Sequence, residues 1–153
     1  MSIAEETGAG YAIRSATDVQ PEDWVDRSDP FFRAVETLCS GKVWVIDLHG
    51  MSDDYGVDMC LGRGPKPEAA QEPMIGLFTR HFPDLTVSID EPFSGRPSHT
   101  ILSYISSQRA TGLQVEISAR WRDPIGSPKE AALLAEGLVS VVDALSLAHS
   151  DLK

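Results

Sequence analysis

Asp47, His49 and Glu116 are the side chains whose types and settings could do chemistry in this sequence. Asp47 and His49 stand two residues apart at the end of an apolar run, Val43 to Ile46, and a glycine-rich stretch follows to Gly64. Two apart on a strand means one face, so carboxylate and imidazole can meet. An imidazole there can ligate a metal or move a proton. A neighbouring carboxylate can orient it through its second ring nitrogen. The plainer readings are a histidine satisfied at a strand end and an aspartate accepting backbone N–H groups of the following loop. Glu116 lies within Leu113-Gln-Val-Glu-Ile-Ser118, where apolar and polar residues alternate. It is either on a solvated face or buried with a task.

Other polar groups rank lower. Arg96 and His99 flank a loop bounded by Gly95 and Pro97 and are candidates for substrate contact, against the reading of surface polar residues. Asp53 and Asp54 read as solvated loop positions and Asp58 as a residue that fixes the loop. Gly62-Arg63-Gly64 lacks the lysine-serine sequel of a phosphate loop. Asp47-Leu-His49-Gly also evokes binuclear metallophosphatases, but the downstream Gly-Asn-His and second Gly-Asp clusters that two metals need are missing.

The elements that must position these residues alternate along the chain. A helix is expected from Asp29, as N-cap, with Pro30 at its first position and Phe31, Phe32, Val35 and Leu38 as its apolar stripe. Strand 43–48 follows, then a loop over 62–67 and a helix over 73–82. Strand 85–89, a turn-rich loop over 91–97, a short helix within 99–108 and strand 113–118 come next. The final helix starts at a capping box, Ser127, Pro128 and Glu130, and aligns Leu134, Leu138, Val141, Val142 and Leu145. Strands 43–48, 85–89 and 113–118 should be neighbours in one sheet. The expectation is an α/β fold in three layers, a mostly parallel sheet with helices on both faces. Residues 1–28 form a polar N-terminal segment, mostly loop, and 29–150 a single domain.

Bulk properties narrow the partners. Thirteen basic against 23 acidic residues give a net charge of −10, which argues against nucleic acid and against anionic membrane surfaces. Cys39 and Cys60 are too few for a disulfide framework and read as reduced, buried packing residues. The first ten residues hold two acids and no base, unlike a signal peptide. No apolar run approaches the roughly 20 residues that span a bilayer, and a cytoplasmic location is expected.

Asp-Leu-His-Gly-Met at 47–51, Val-Asp-Met-Cys-Leu-Gly at 57–62 and Leu-Gln-Val-Glu-Ile at 113–117, with arginines just after, together resemble the N-formylglutamate amidohydrolase-like family. These are zinc hydrolases whose sheet is related to that of zinc carboxypeptidases. The resemblance runs from about Asp29 to Leu145. It implies that His49 is a zinc ligand and that Glu116 is the general base towards metal-bound water. It also implies that Arg120 or Arg122 holds a substrate carboxylate or an oxyanion, and that the substrate is a small acylated amino acid such as N-formylglutamate.

The family's earlier histidine and acidic ligand have no counterpart here. No histidine precedes His49, and His81, His99 and His149 stand in no His-x-x-Glu pair. A catalytic zinc takes three protein ligands and keeps one position open. The resemblance therefore implies a weak or incomplete zinc site, with an oligomer or partner subunit supplying what is missing. The alternative is a non-catalytic binding or regulatory relative of the same fold.

Overall fold

The computed structural model describes residues 7–13, 30–41, 43–97 and 100–150, with side chains as far as Ala148. In chain order the elements are α1 (Pro30–Leu38), β1 (Trp44–Met51), β2 (Met59–Gly62), α2 (Glu72–His81), β3 (Val87–Ile89), α3 (Ile101–Ile105), β4 (Thr111–Ser118) and α4 (Pro128–Ser150). Short 3₁₀ turns at Asp53–Tyr55 and Ala119–Arg122 follow β1 and β4. Asp29, expected to cap α1, lies outside the described residues, as does most of the polar N-terminal segment.

The sheet has the order β1-β4-β2-β3. β1 runs parallel to β4 and β3 parallel to β2, while β2 is antiparallel to β4. The fold is the expected α/β class. The three expected strands do share one sheet, and β1 and β4 are neighbours. β3 pairs with neither of them, because β2 lies between. β2 was expected as loop: Met-Cys-Leu-Gly is four residues long and buried throughout, so it shows no alternation from which a strand could be read.

Strand alternation sorts the side chains onto two faces. Leu113, Val115 and Ile117 of β4, with Met59 and Leu61 of β2, pack against Met74, Ile75 and Phe78 of α2 and Leu134, Leu138, Val141 and Leu145 of α4. On the other face Val45 meets Leu102 and Ile105 of α3 and Val35 of α1. Gly112 permits that second layer: a Cβ there would stand 2.5 Å from Leu102 Cδ2. Helices thus cover both faces.

α4 begins at Pro128 as expected, and an Asp123-centred turn leads into it. The Ser127 N–H donates to the Asp123 carbonyl at 2.9 Å, and Asp123 Oδ1 accepts from the N–H groups of Ile125 and Gly126. By length and composition Pro128–Ala148 is apolar enough to cross a membrane, which corrects the expectation that no such run exists. Its many alanines, with Glu136 and Asp143 among them, hide that average from the eye. One face of the helix is committed to the sheet.

Candidate functional site

The register of β4 with its two neighbours assembles a polar patch from three strands. Asp47 is paired with Gln114 and His49 with Glu116 across β1–β4. Cys60 is paired with Glu116, and Gly62 with Gln114, across β2–β4. By alternation these residues lie on the face that carries α1 and α3, one and two rows beyond the apolar Val45–Gly112 row. The sequence placed Asp47 and His49 on one face, and the structure adds Glu116 to the same cluster.

Contacts within the patch are close. His49 Nε2 donates to Asp47 Oδ1 at 3.0 Å, and Nδ1 stands 4.0 Å from Glu116 Oε1. Gln114 Nε2 donates to the same Glu116 oxygen at 2.8 Å. Glu116 and Gln114 are buried, whereas the His49 side chain is 32% exposed and forms the open side of the cluster. The hydrogen bond to Asp47 raises the His49 pKa above the ordinary imidazole value. Burial works against that shift, and the charges of Asp47 and Glu116 reinforce it. Asp47 Oδ2, Gln114 Oε1 and Ser118 Oγ are buried without a partner among the described residues.

The loop after β3 roofs the β2 side of the patch. Cys60 Sγ donates to the carbonyls of Glu91 and Phe93 at 3.2 and 3.4 Å. A Cβ on Gly62 would lie 2.7 Å from the Phe93 carbonyl oxygen, so only glycine lets the loop settle there. The ring of Tyr55, from the turn after β1, meets Phe93 edge-on at 5.0 Å. Gln114, Cys60 and this roof were not singled out from the sequence. Gln114 carried a usable signal, standing two residues before Glu116 on the same strand.

The arginines do not join the cluster. Arg120 donates from Nε and a terminal nitrogen to Asp58 Oδ1, which also takes the Trp121 indole N–H, while Asp58 Oδ2 accepts from the Thr86 N–H. Asp58 thus fixes the loop, as read from the sequence, and holds Arg120 with it. Arg122 donates to the carbonyls of Ile117 and Met51. Its guanidinium occupies the space where a Gly50 Cβ would point, and residue 50 faces away from residue 49. Arg96, 53% exposed, is held by Asp90 at 3.2 Å. His99 lies outside the described residues.

Among the described residues no group of three or more His, Cys, Asp or Glu side chains is placed to hold a metal ion. The donor set explains this. His49 Nε2 is engaged by Asp47, Glu116 by Gln114, and the Cys60 thiol by two carbonyls. One imidazole with two engaged carboxylates does not make a three-ligand zinc site.

Neither a protein-family model nor a curated protein matches the chain. Among solved structures, that of N-formylglutamate amidohydrolase from Ralstonia eutropha JMP134 is similar, with a TM-score of 0.56 and 21% sequence identity. The likeness covers 77% of this chain and 51% of that one, and it is a likeness of fold. The chain spans about half the length of that protein.

Proposed function

We propose that the chain carries one half of an amidohydrolase-type centre for N-acylated amino acids, with Glu116 as proton acceptor and His49 as the single ligand it offers to zinc. The reading rests on one observation, the buried Glu116 carboxylate standing 4.0 Å from His49 Nδ1 in register across two parallel strands. That gap is too long for a direct hydrogen bond and suits one bridging water. Gln114 fixes the Glu116 oxygen that would take the water's proton. Asp47 fixes the ring of His49. The fold likeness to an N-formylglutamate amidohydrolase supports the same substrate class.

The residues present do not complete a zinc site, so no hydrolytic step is ascribed to this chain alone. The further ligands would come from a partner subunit or a second copy. A net charge of −10 suits a small-molecule partner better than nucleic acid or an anionic membrane surface, and we place the protein in the cytoplasm. With zinc in excess, whatever N-formylglutamate cleavage the chain supports is expected to disappear in Glu116→Gln and in His49→Ala. Cleavage that survives both substitutions would overturn the assignment.

One observation favours a second reading, a non-catalytic binding or regulatory module. Both ring nitrogens of His49 face carboxylates, so the cluster is paired within itself. Ligand binding indifferent to zinc, with no turnover, would identify that case.

A further inference from the structure

Among the described residues β1 has an open outer edge. The Thr111 N–H donates to the Val43 carbonyl at 2.9 Å, so the odd-numbered residues of β1 turn their backbone groups towards β4. Those of Trp44, Ile46, Leu48 and Gly50 point outwards, where no described strand pairs with β1. Native sheets blunt such edges with shortness, proline, lysine or a bulge. The opposite edge follows that rule, since β3 has three residues. β1 has eight, Trp-Val-Ile-Asp-Leu-His-Gly-Met, with neither proline nor lysine and in unbroken register with β4. Its charged groups, Asp47 and His49, pair with each other. Leu48, between them, lies on the other face and is 50% exposed.

We infer that β1 is a dimer seam, at which a second copy of this chain adds its own β1 antiparallel with Leu48 on the two-fold axis. A strand paired antiparallel with its own copy is self-complementary, as a two-fold interface requires. Registers centred on residues 47, 48 and 49 all let even-numbered residues exchange their outward hydrogen bonds, so side chains must choose between them. An axis at 47 sets Asp47 against Asp47, and one at 49 sets His49 against His49. An axis at Leu48 sets each Asp47 against the partner's His49 on one face and each exposed leucine against its copy on the other. Like charges directly opposite destabilise a strand pair and opposite charges stabilise it, which selects the Leu48 register. The net charge of −10 opposes self-association at long range, but a Debye length of about 8 Å at physiological salt screens most of that repulsion. The inference deepens the half-centre reading, and rests on it only in making the second copy the partner of that site.

Sedimentation equilibrium of the full chain at physiological salt is expected to give twice the 16.6 kDa chain mass at micromolar concentration. Leu48→Lys, shown to be folded by its thermal melt, is expected to weaken the dimer at least about tenfold, because it sets two ammonium groups across the axis in place of two leucines. Leu48→Cys is expected to cross-link to its copy under mild oxidation, since residues that exchange both hydrogen bonds have Cα atoms about 5.5 Å apart, within reach of a disulfide. Ile46→Cys is expected not to cross-link, its two copies standing about 14 Å apart along the strands. Cys39 and Cys60 are buried and leave this readout clean. A monomer throughout the micromolar range, an undiminished Leu48→Lys dimer, or cross-linking of Ile46→Cys as readily as Leu48→Cys would each overturn the inference. The half-centre reading fails on a different result, turnover that does not depend on Glu116.

Discussion

Asp58 and His49 titrate in opposite senses for reasons visible at each residue. Burial alone would raise the Asp58 pKa, but hydrogen bonds from Arg120, the Thr86 N–H and the Trp121 indole, with the Arg120 charge, hold it below the ordinary carboxylate value. Its ionised form therefore stabilises the fold above the unfolded value of about 3.9, and that contribution is lost as the pH falls through the lower folded value. Asp58→Asn is expected to cost about 1–3 kcal/mol at pH 7 and to flatten the acid limb of stability against pH. Urea unfolding across the acid range checks this, and an unchanged limb would mean the carboxylate is ordinary. His49 is the mirror case. Its raised pKa adds stability that is complete below an unfolded value of about 6.5 and is lost as the pH rises through the folded value. Asp47→Asn removes the principal cause, so an NMR titration of the His49 ring should show its pKa fall. Strand alternation made the shared face of Asp47 and His49 legible in the sequence, because it is a local rule. The fate of Arg120 was not legible, since its partner Asp58 lies 62 residues away along the chain.

The elements that sequence pattern located are those long enough to show a period. β4 reads as alternation and α4 as an apolar stripe, and their apolar residues pack into one core, although Gln114, Glu116 and Ser118 on the other face of β4 are buried as well. Leu138, 4% exposed against the sheet, is accordingly expected to cost on the order of 2–5 kcal/mol when cut to alanine. A loss below about 0.5 kcal/mol in a denaturant melt would mean that this face of α4 is not the one the core holds. β2 escaped notice because four residues carry no period, yet its consequences for the site are large. Gly62, its last residue, lies under the Phe93 carbonyl with no room for a methyl group. Gly62→Ala should push the loop off Cys60 and Gln114, costing about 1–3 kcal/mol by overpacking. Faster exchange of the Gly64 amide, which donates to the Ser94 carbonyl, would report the displaced loop.

At the scale of the molecule the patch lies at a boundary. Among the described residues β1 pairs with β4 alone, so the strand that carries Asp47 and His49 is the outer strand of the sheet. The chain spans about half the length of the similar N-formylglutamate amidohydrolase. Zinc is held in proteins by several convergent, deprotonated ligands whose preorganisation supplies the affinity. Here one imidazole faces two carboxylates that are already hydrogen-bonded, and among the described residues no third neutral or thiolate donor is free beside it. Protein purified without a histidine tag and dialysed against metal-free buffer is therefore expected to retain far less than one zinc per chain by elemental analysis, and to turn over N-formylglutamate very slowly or not at all. Stoichiometric zinc that survives dialysis and is lost in His49→Ala would require ligands from the residues beyond those described or from a second copy. The Glu116 carboxylate would then stand beside a complete centre, and Glu116→Gln should abolish turnover while leaving the zinc in place.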